Sequence, residues 1–209
     1  MGMIALVLGK SGSGKSTSLR NFNPDEVGVI SVLGKPLPFR KKLGTFNTDE
    51  YRRVLDCLHS GKRPSWVVDD ATYLMQNENF KRAKETGYAK FTDMALNFQR
   101  LIKAAIDTQE GTITYLMMHS ETDERGHEKV KTIGKMLDEK YCIEGACPIV
   151  INCEVLDGKH VFVTENDGSN LAKAPMGMLP PIMDNDLKAV DDAIRDYWGW
   201  PRSADKTKE

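Results

Sequence analysis

The stretch that most constrains this chain is Leu6 to Thr17, which reads L-V-L-G-K-S-G-S-G-K-S-T. Gly9, Gly14, Lys15 and Ser16 fit G-x-x-x-x-G-K-[ST], the Walker A or P-loop pattern. Phosphate oxygens need many donors at close range, so such a loop turns its backbone N–H groups inward, and glycine permits the turns while keeping side chains clear. The nine positions Gly9, Lys10, Ser11, Gly12, Ser13, Gly14, Lys15, Ser16 and Thr17 are therefore expected to wrap a nucleotide's phosphates. Lys15 is expected to reach the β- and γ-phosphates, and the Ser16 hydroxyl to ligate Mg²⁺. A helix starting near Gly14 would aim its N-terminal partial charge at the same anion. The flanks agree: Met3 to Leu8 is an apolar run, and Ser16 to Asn21 can be helical. The competing interpretation, a flexible Gly/Ser turn, does not account for a strand directly before it.

With 209 residues the expectation is one domain over 1–200 and a short tail over 201–209. A chain that is 40% hydrophobic and 28% charged has the balance of a soluble globular protein. A net charge of -1 gives no general attraction to nucleic acid or an anionic membrane, so any DNA contact would need a local patch or an assembly. Cys57, Cys142, Cys147 and Cys153 lack the short spacing of a zinc site and are expected to be buried, reduced thiols of a cytosolic protein. Neither a signal peptide, nor a myristoylation signal, nor a membrane-spanning run fits the sequence.

Taken in order, Ile4–Leu8, Val27–Leu33, Trp66–Val68, Thr112–Met118 and Pro148–Val155 are expected strands. Helices are expected after a Thr48 cap with Tyr51, Val54, Leu55 and Leu58 on one face, over Lys90–Thr108, briefly over Ile133–Lys140, and after Asp184 or Asn185. Asn77–Gly87 reads as helix or mobile loop, and Glu121–Lys131 as a charged mobile loop. Asp157-Gly158 signals a hairpin that returns His160–Thr164 antiparallel. Gly34–Lys42 is a basic, proline-containing loop, either solvated or facing phosphate or DNA. Five strands separated by helical segments predict an α/β domain with a mainly parallel five-stranded core sheet flanked by helices, plus an antiparallel C-terminal hairpin.

In such a sheet ligands bind at the carboxyl ends of the strands, and Gly9, Asp69 and His119 fall there. Asp69, closing an apolar strand, is the candidate Walker B carboxylate that holds Mg²⁺. Asp70 is either the group that positions the attacking water or a turn and capping residue. His119 is either a γ-phosphate sensor or the end of a strand with no catalytic duty. Lys173, between small residues and Pro175, is either a cationic finger for a neighbouring subunit's phosphate or a surface lysine. His59, His127 and His160 read as isolated surface residues.

The blocks S-G-S-G-K-S-T-S-L-R-N, G-K-P-L-P-F-R, V-V-D-D-A-T-Y-L-M, K-T-I-G-K-M-L-D-E-K and A-K-A-P-M-G-M-L, in that order, resemble bacteriophage nucleotide-binding proteins of the AAA/RecA-like type. Within these the chain is similar to the Sak-type single-strand annealing ATPases, relatives of RecA and Rad recombinases, over Met3 to Tyr197. The resemblance implies a RecA-like (additional-strand, ASCE) P-loop NTPase core, ATP with Mg²⁺, and a homo-oligomer. It also implies phage DNA recombination on single-stranded DNA beside a single-strand binding protein, in the host cytoplasm. One departure stands out: RecA-type recombinases carry a catalytic glutamate after the second strand, where this chain reads S-V-L-G-K-P-L-P. Turnover is then slow, or Asp70 substitutes. The DNA-binding loops do not carry over; Lys81–Lys84 and Glu121–Lys131 are the candidate stretches. Two other classes compete: a nucleotide or small-molecule kinase, and an ATP-switched assembly or packaging factor with little turnover. A kinase lid needs several arginines, and Glu121–Lys131 carries Arg125 alone beside Glu121, Asp123, Glu124 and Glu128.

Overall fold

The computed structural model describes residues 1–124 and 126–202. Its strands are β1 (Met3–Leu8), β2 (Val27–Ser31), β3 (Gly44–Asn47), β4 (Ser65–Asp69), β5 (Ile113–Met118), β6 (Ser120–Thr122), β7 (Glu128–Val130), β8 (Ile149–Leu156), β9 (Lys159–Val163) and β10 (Ile182–Asp184). The helices are α1 (Tyr51–Leu58), α2 (Thr72–Lys81), α3 (Ala89–Ile106), α4 (Lys135–Glu139), α5 (Ile143–Ala146) and α6 (Leu187–Trp198), with a 3₁₀ helix at Ser16–Asn21. Eight strands form one mixed, mostly parallel sheet in the order β10-β9-β8-β1-β5-β4-β2-β3, and β6 and β7 pair separately.

The five expected strands are the parallel centre of this sheet, β8-β1-β5-β4-β2. Each reads as an apolar run without alternation because both faces are covered. Along β1, Ile4, Leu6 and Leu8 pack toward Leu74 of α2 and Phe98, Leu101 and Ile102 of α3. Ala5 and Val7 point the other way, toward Leu19 of the 3₁₀ helix, Phe22 just after it, and Val190 and Ile194 of α6. Hence the period-2 geometry of a strand divides one apolar run between two cores.

Three additions were not foreseen. β3 extends the sheet beyond β2 as an exposed edge, and β10 extends it beyond the expected Asp157-Gly158 hairpin. Four-residue and three-residue edge strands leave almost no sequence pattern. Glu121–Lys131, expected as a loop, instead supplies most of the antiparallel pair β6 and β7. The cap of α6 is Asp186, whose carboxylate accepts from the amides of Lys188 and Ala189, and not Asp184 or Asn185. Thr48 sits outside α1, its hydroxyl accepting the Glu50 amide. Of the cysteines only Cys147 and Cys153 are buried; Cys57 is half-buried and Cys142 exposed. The expected tail lies outside the described residues from 203 on. Among the described residues no helix is long and apolar enough to cross a membrane.

One buried polar knot joins α6 to the amino ends of β4 and β5. Arg195 is 2% exposed and donates to Asp191, Ser65 and the carbonyls of Pro64 and Gly111. Asp191 also accepts from the Tyr115 hydroxyl at 3.0 Å. Burial beside that carboxylate pushes the Tyr115 phenol well above its usual value, which keeps it a donor. Removing one member strands the other charge in the core. Arg195→Ala should therefore destabilise the fold by about 3–5 kcal/mol, read from the midpoint of urea denaturation followed by circular dichroism.

Candidate functional site

The loop Gly9–Lys15 leaves β1 at its carboxyl end and enters the 3₁₀ helix at Ser16. Glycine is required at two of its corners. A side chain at Gly9 would meet the Cys153 carbonyl at 2.5 Å and the Ser13 hydroxyl at 2.6 Å. Gly14 has φ +105° and lies against the His160 ring, 3.0 Å from where its Cβ would be. The Lys15 ammonium turns back along the loop, donating to the carbonyls of Gly9 at 2.7 Å and Lys10 at 3.0 Å. Burial holds its pKa below the ordinary lysine value.

The expected α-helix after the loop is six residues of 3₁₀ helix. The Ser18 hydroxyl donates to the Lys15 carbonyl at 2.6 Å, and Asn23-Pro24 ends the run. So short a turn supplies little macrodipole.

The Ser16 hydroxyl donates to Asp69 Oδ1 at 3.0 Å, joining the loop to the end of β4. Asp69 is 7% exposed. Burial, and next the neighbouring Asp70 charge, raise its pKa above the usual aspartate value, opposed by the Ser16 hydrogen bond and by Lys15. Asp70 leaves the strand with φ +60° and faces elsewhere. Its Oδ2 lies 3.1 Å from Lys35 Nζ and its Oδ1 3.5 Å from His119 Nε2. Those two partners, His119 first, hold Asp70 below the usual carboxylate range. His119 follows β5, its amide donating to the Thr72 hydroxyl at 2.9 Å and its ring meeting Tyr73 edge-on. Two adjacent carboxylates are thus pushed in opposite directions, a common mark of divided roles.

These groups line one cleft of about 350 Å³, which includes Gly12, Gly14, Lys15, Ser16, Thr17, Lys35, Asp69, Asp70, Tyr73, His119 and His160. The outer loop residues Gly9, Lys10 and Ser13 line an adjoining hollow with Cys153 and Glu154, and Ser11 and Gly12 border both. Lys173 is not brought here. Its backbone forms an antiparallel bridge with Val150, low on β8, and its exposed side chain lies toward Cys142 and Cys147. Two of the candidate DNA-contacting cations are compensated: Lys81 pairs with Asp49, and Arg82 with Glu78, Glu85 and Asp93.

Four site residues were missed. Lys35 stood within a loop of undecided orientation. His160, exposed as expected, is 2.7 Å from the Ser13 carbonyl through Nδ1. Behind the loop the Cys153 thiol donates to that carbonyl at 3.1 Å, and Asn185 donates to the Cys153 sulfur at 3.0 Å. No local pattern marks these residues, because the contacts are made across strands.

The donor set fits a magnesium–triphosphate ligand. Ser16 and Asp69 offer one hydroxyl and one carboxylate, the sparse protein set that Mg²⁺ takes alongside phosphates and water. The Ser13 hydroxyl is buried in the loop without a hydrogen-bond partner. Neither a protein-family model nor a curated protein matches the chain.

Because the folded Asp70 value is lowered, its ionised form stabilises the fold fully above pH 3.8 and loses that contribution as pH falls through the lowered value. A carboxyl ¹³C titration should put Asp70 below 3.8, and His119→Ala should raise its midpoint more than Lys35→Met does.

Proposed function

We propose that the chain binds ATP with Mg²⁺ and hydrolyses it, on a RecA-like, additional-strand P-loop core. The observation that carries this reading is the 3.0 Å contact between Ser16 of the glycine loop and the buried Asp69. The sheet order supports the finer fold assignment. β5 lies between β1, which carries the loop, and β4, which carries the acidic pair, so one additional strand separates the two motifs.

In this reading the loop amides and the Lys15 ammonium bind the β- and γ-phosphates. Ser16 and Asp69 would hold Mg²⁺, which when bound neutralises phosphate charge. Asp70 orients a water, accepting its proton through a carboxylate kept ionised at neutral pH, and His119 fixes that carboxylate from the far side. Lys173, exposed on the surface, is free of this cleft and available to a neighbouring subunit.

The substrate of the work done by ATP rests on the resemblance to phage single-strand annealing ATPases. On that basis we place the chain in phage DNA recombination, as a homo-oligomer on single-stranded DNA beside a single-strand binding protein, in the host cytoplasm. A second reading, an ATP-switched factor with little turnover, is favoured by one observation. Asp70 is engaged on both sides, by the Lys35 ammonium and the His119 imidazole, and the residue after Gly34 is Lys35, not a glutamate. Turnover that rises with added single-stranded DNA supports the first reading; tight ATP binding with negligible turnover supports the second.

Lys15→Ala should leave the far-ultraviolet spectrum unchanged and weaken ATP binding on the order of a hundredfold. Unchanged affinity in calorimetry would sink the assignment of the loop.

A further inference from the structure

The cleft holds a cation that the loop motif does not supply. Lys35 follows Gly34, which turns the chain with φ +66°, and precedes Pro36, whose ring restricts the backbone on that side. Its ammonium is carried to Asp70 Oδ2 at 3.1 Å and lies 5.5 Å from the centre of the Tyr73 ring. The side chain remains 61% exposed, so only its tip is held. An exposed ion pair of this kind is weak, on the order of 1 kcal/mol or less, and is easily exchanged. A terminal phosphate carries more negative charge than one carboxylate and accepts several hydrogen bonds, so it outcompetes Asp70 for the same ammonium. Lys35 and Lys15 line the same cleft. Two like charges so placed favour an anion between them.

Resting on the ATP reading above, we propose that Lys35 is the chain's own γ-phosphate sensor: it leaves Asp70 for the terminal phosphate of a nucleoside triphosphate and thereby frees Asp70 to take up a water. A diphosphate does not reach Lys35, so the ion pair with Asp70 persists and the carboxylate stays engaged. The Tyr73 ring face favours the ammonium in the cleft and lies beside His119, so the exchange happens within one packed group of side chains. The position after β2 thus carries a cation that discriminates tri- from diphosphate.

The two halves of the ion pair should then act with opposite sign on binding. Isothermal titration calorimetry with β,γ-imido-ATP and with ADP, in Mg²⁺, reads this without turnover. Lys35→Met should weaken imido-ATP roughly ten- to hundredfold and leave ADP within about twofold. Asp70→Asn, which releases Lys35 from its partner, should tighten imido-ATP, and that gain should vanish when Lys35→Met is added. Equal losses for both nucleotides, no loss for either, or weakening by both single substitutions would overturn the proposal while leaving the loop assignment standing. A gain from Asp70→Asn that survives in the double variant would overturn it too, since charge removal alone would explain it. If the unaltered protein binds neither nucleotide, the ATP reading fails and this inference with it. Far-ultraviolet spectra of each variant exclude unfolding as the cause of a loss.

Discussion

A hydroxyl and a carboxylate separated by 53 residues set the geometry on which the site depends: Ser16 donating to Asp69. The contact spans a gap, because β1 and β4 are not neighbours. β5 lies between them, so their ends are roughly 10 Å apart at ordinary strand spacing. The loop after β1 must cross the end of β5 to bring Ser16 over β4. A tight turn could not reach, and a loop with side chains at Gly9 and Gly14 would collide with Cys153 and His160. Crossing the end of β5 also puts whatever follows that strand beneath the loop. That residue is His119, which is why a histidine 50 positions beyond Asp69 meets the adjacent Asp70.

The loop is braced from the other side by elements whose purpose was not evident in the sequence. β9 returns His160 to the Ser13 carbonyl, and β8 supplies Cys153 to the same atom. The antiparallel extension of the sheet is therefore a support for the loop. It lets the short 3₁₀ helix hold its place without the length of an ordinary phosphate-binding helix. Arg20 adds a tie from that helix to the Asn185 carbonyl, linking it to the segment before α6.

How much of this was legible follows from the range of each interaction. The parallel strands were visible because burial on both faces leaves an uninterrupted apolar run, and α3 because its stripe repeats over eighteen residues. The Walker A loop and the strand-end positions of Asp69 and His119 follow from local patterns. β3 and β10 escaped because edge strands of three or four residues carry no period. Lys35, His160, Cys153 and Asn185 escaped for a different reason: each acts by reaching across the sheet, and composition near each one looks like surface or ordinary core. Lys173, read as a finger for a neighbouring subunit or as a surface lysine, is exposed, and its backbone bridge to Val150 holds it low on β8, away from its own loop.

The pairing of Asp69 and Asp70 shows how one dipeptide serves two chemistries. In a regular strand both would compete with each other through space, and alternation would send one into the core. The positive φ of Asp70 turns the chain at that residue, so the pair diverges into different environments. Asp69, where burial and the Asp70 charge outweigh the Ser16 hydroxyl and the Lys15 charge, is destabilised as an anion and would gain most from an arriving cation. Asp70, between an imidazole and an ammonium, is stabilised as an anion and stays one over the whole neutral range. A buried carboxylate short of a counter-charge, beside a half-buried one already holding an ammonium, is an arrangement suited to a ligand bearing both a metal and an anion. In the proposed reading a metal held by Ser16 and Asp69 would relieve Asp69, a terminal phosphate would draw Lys35 from Asp70, and one binding event would correct both imbalances.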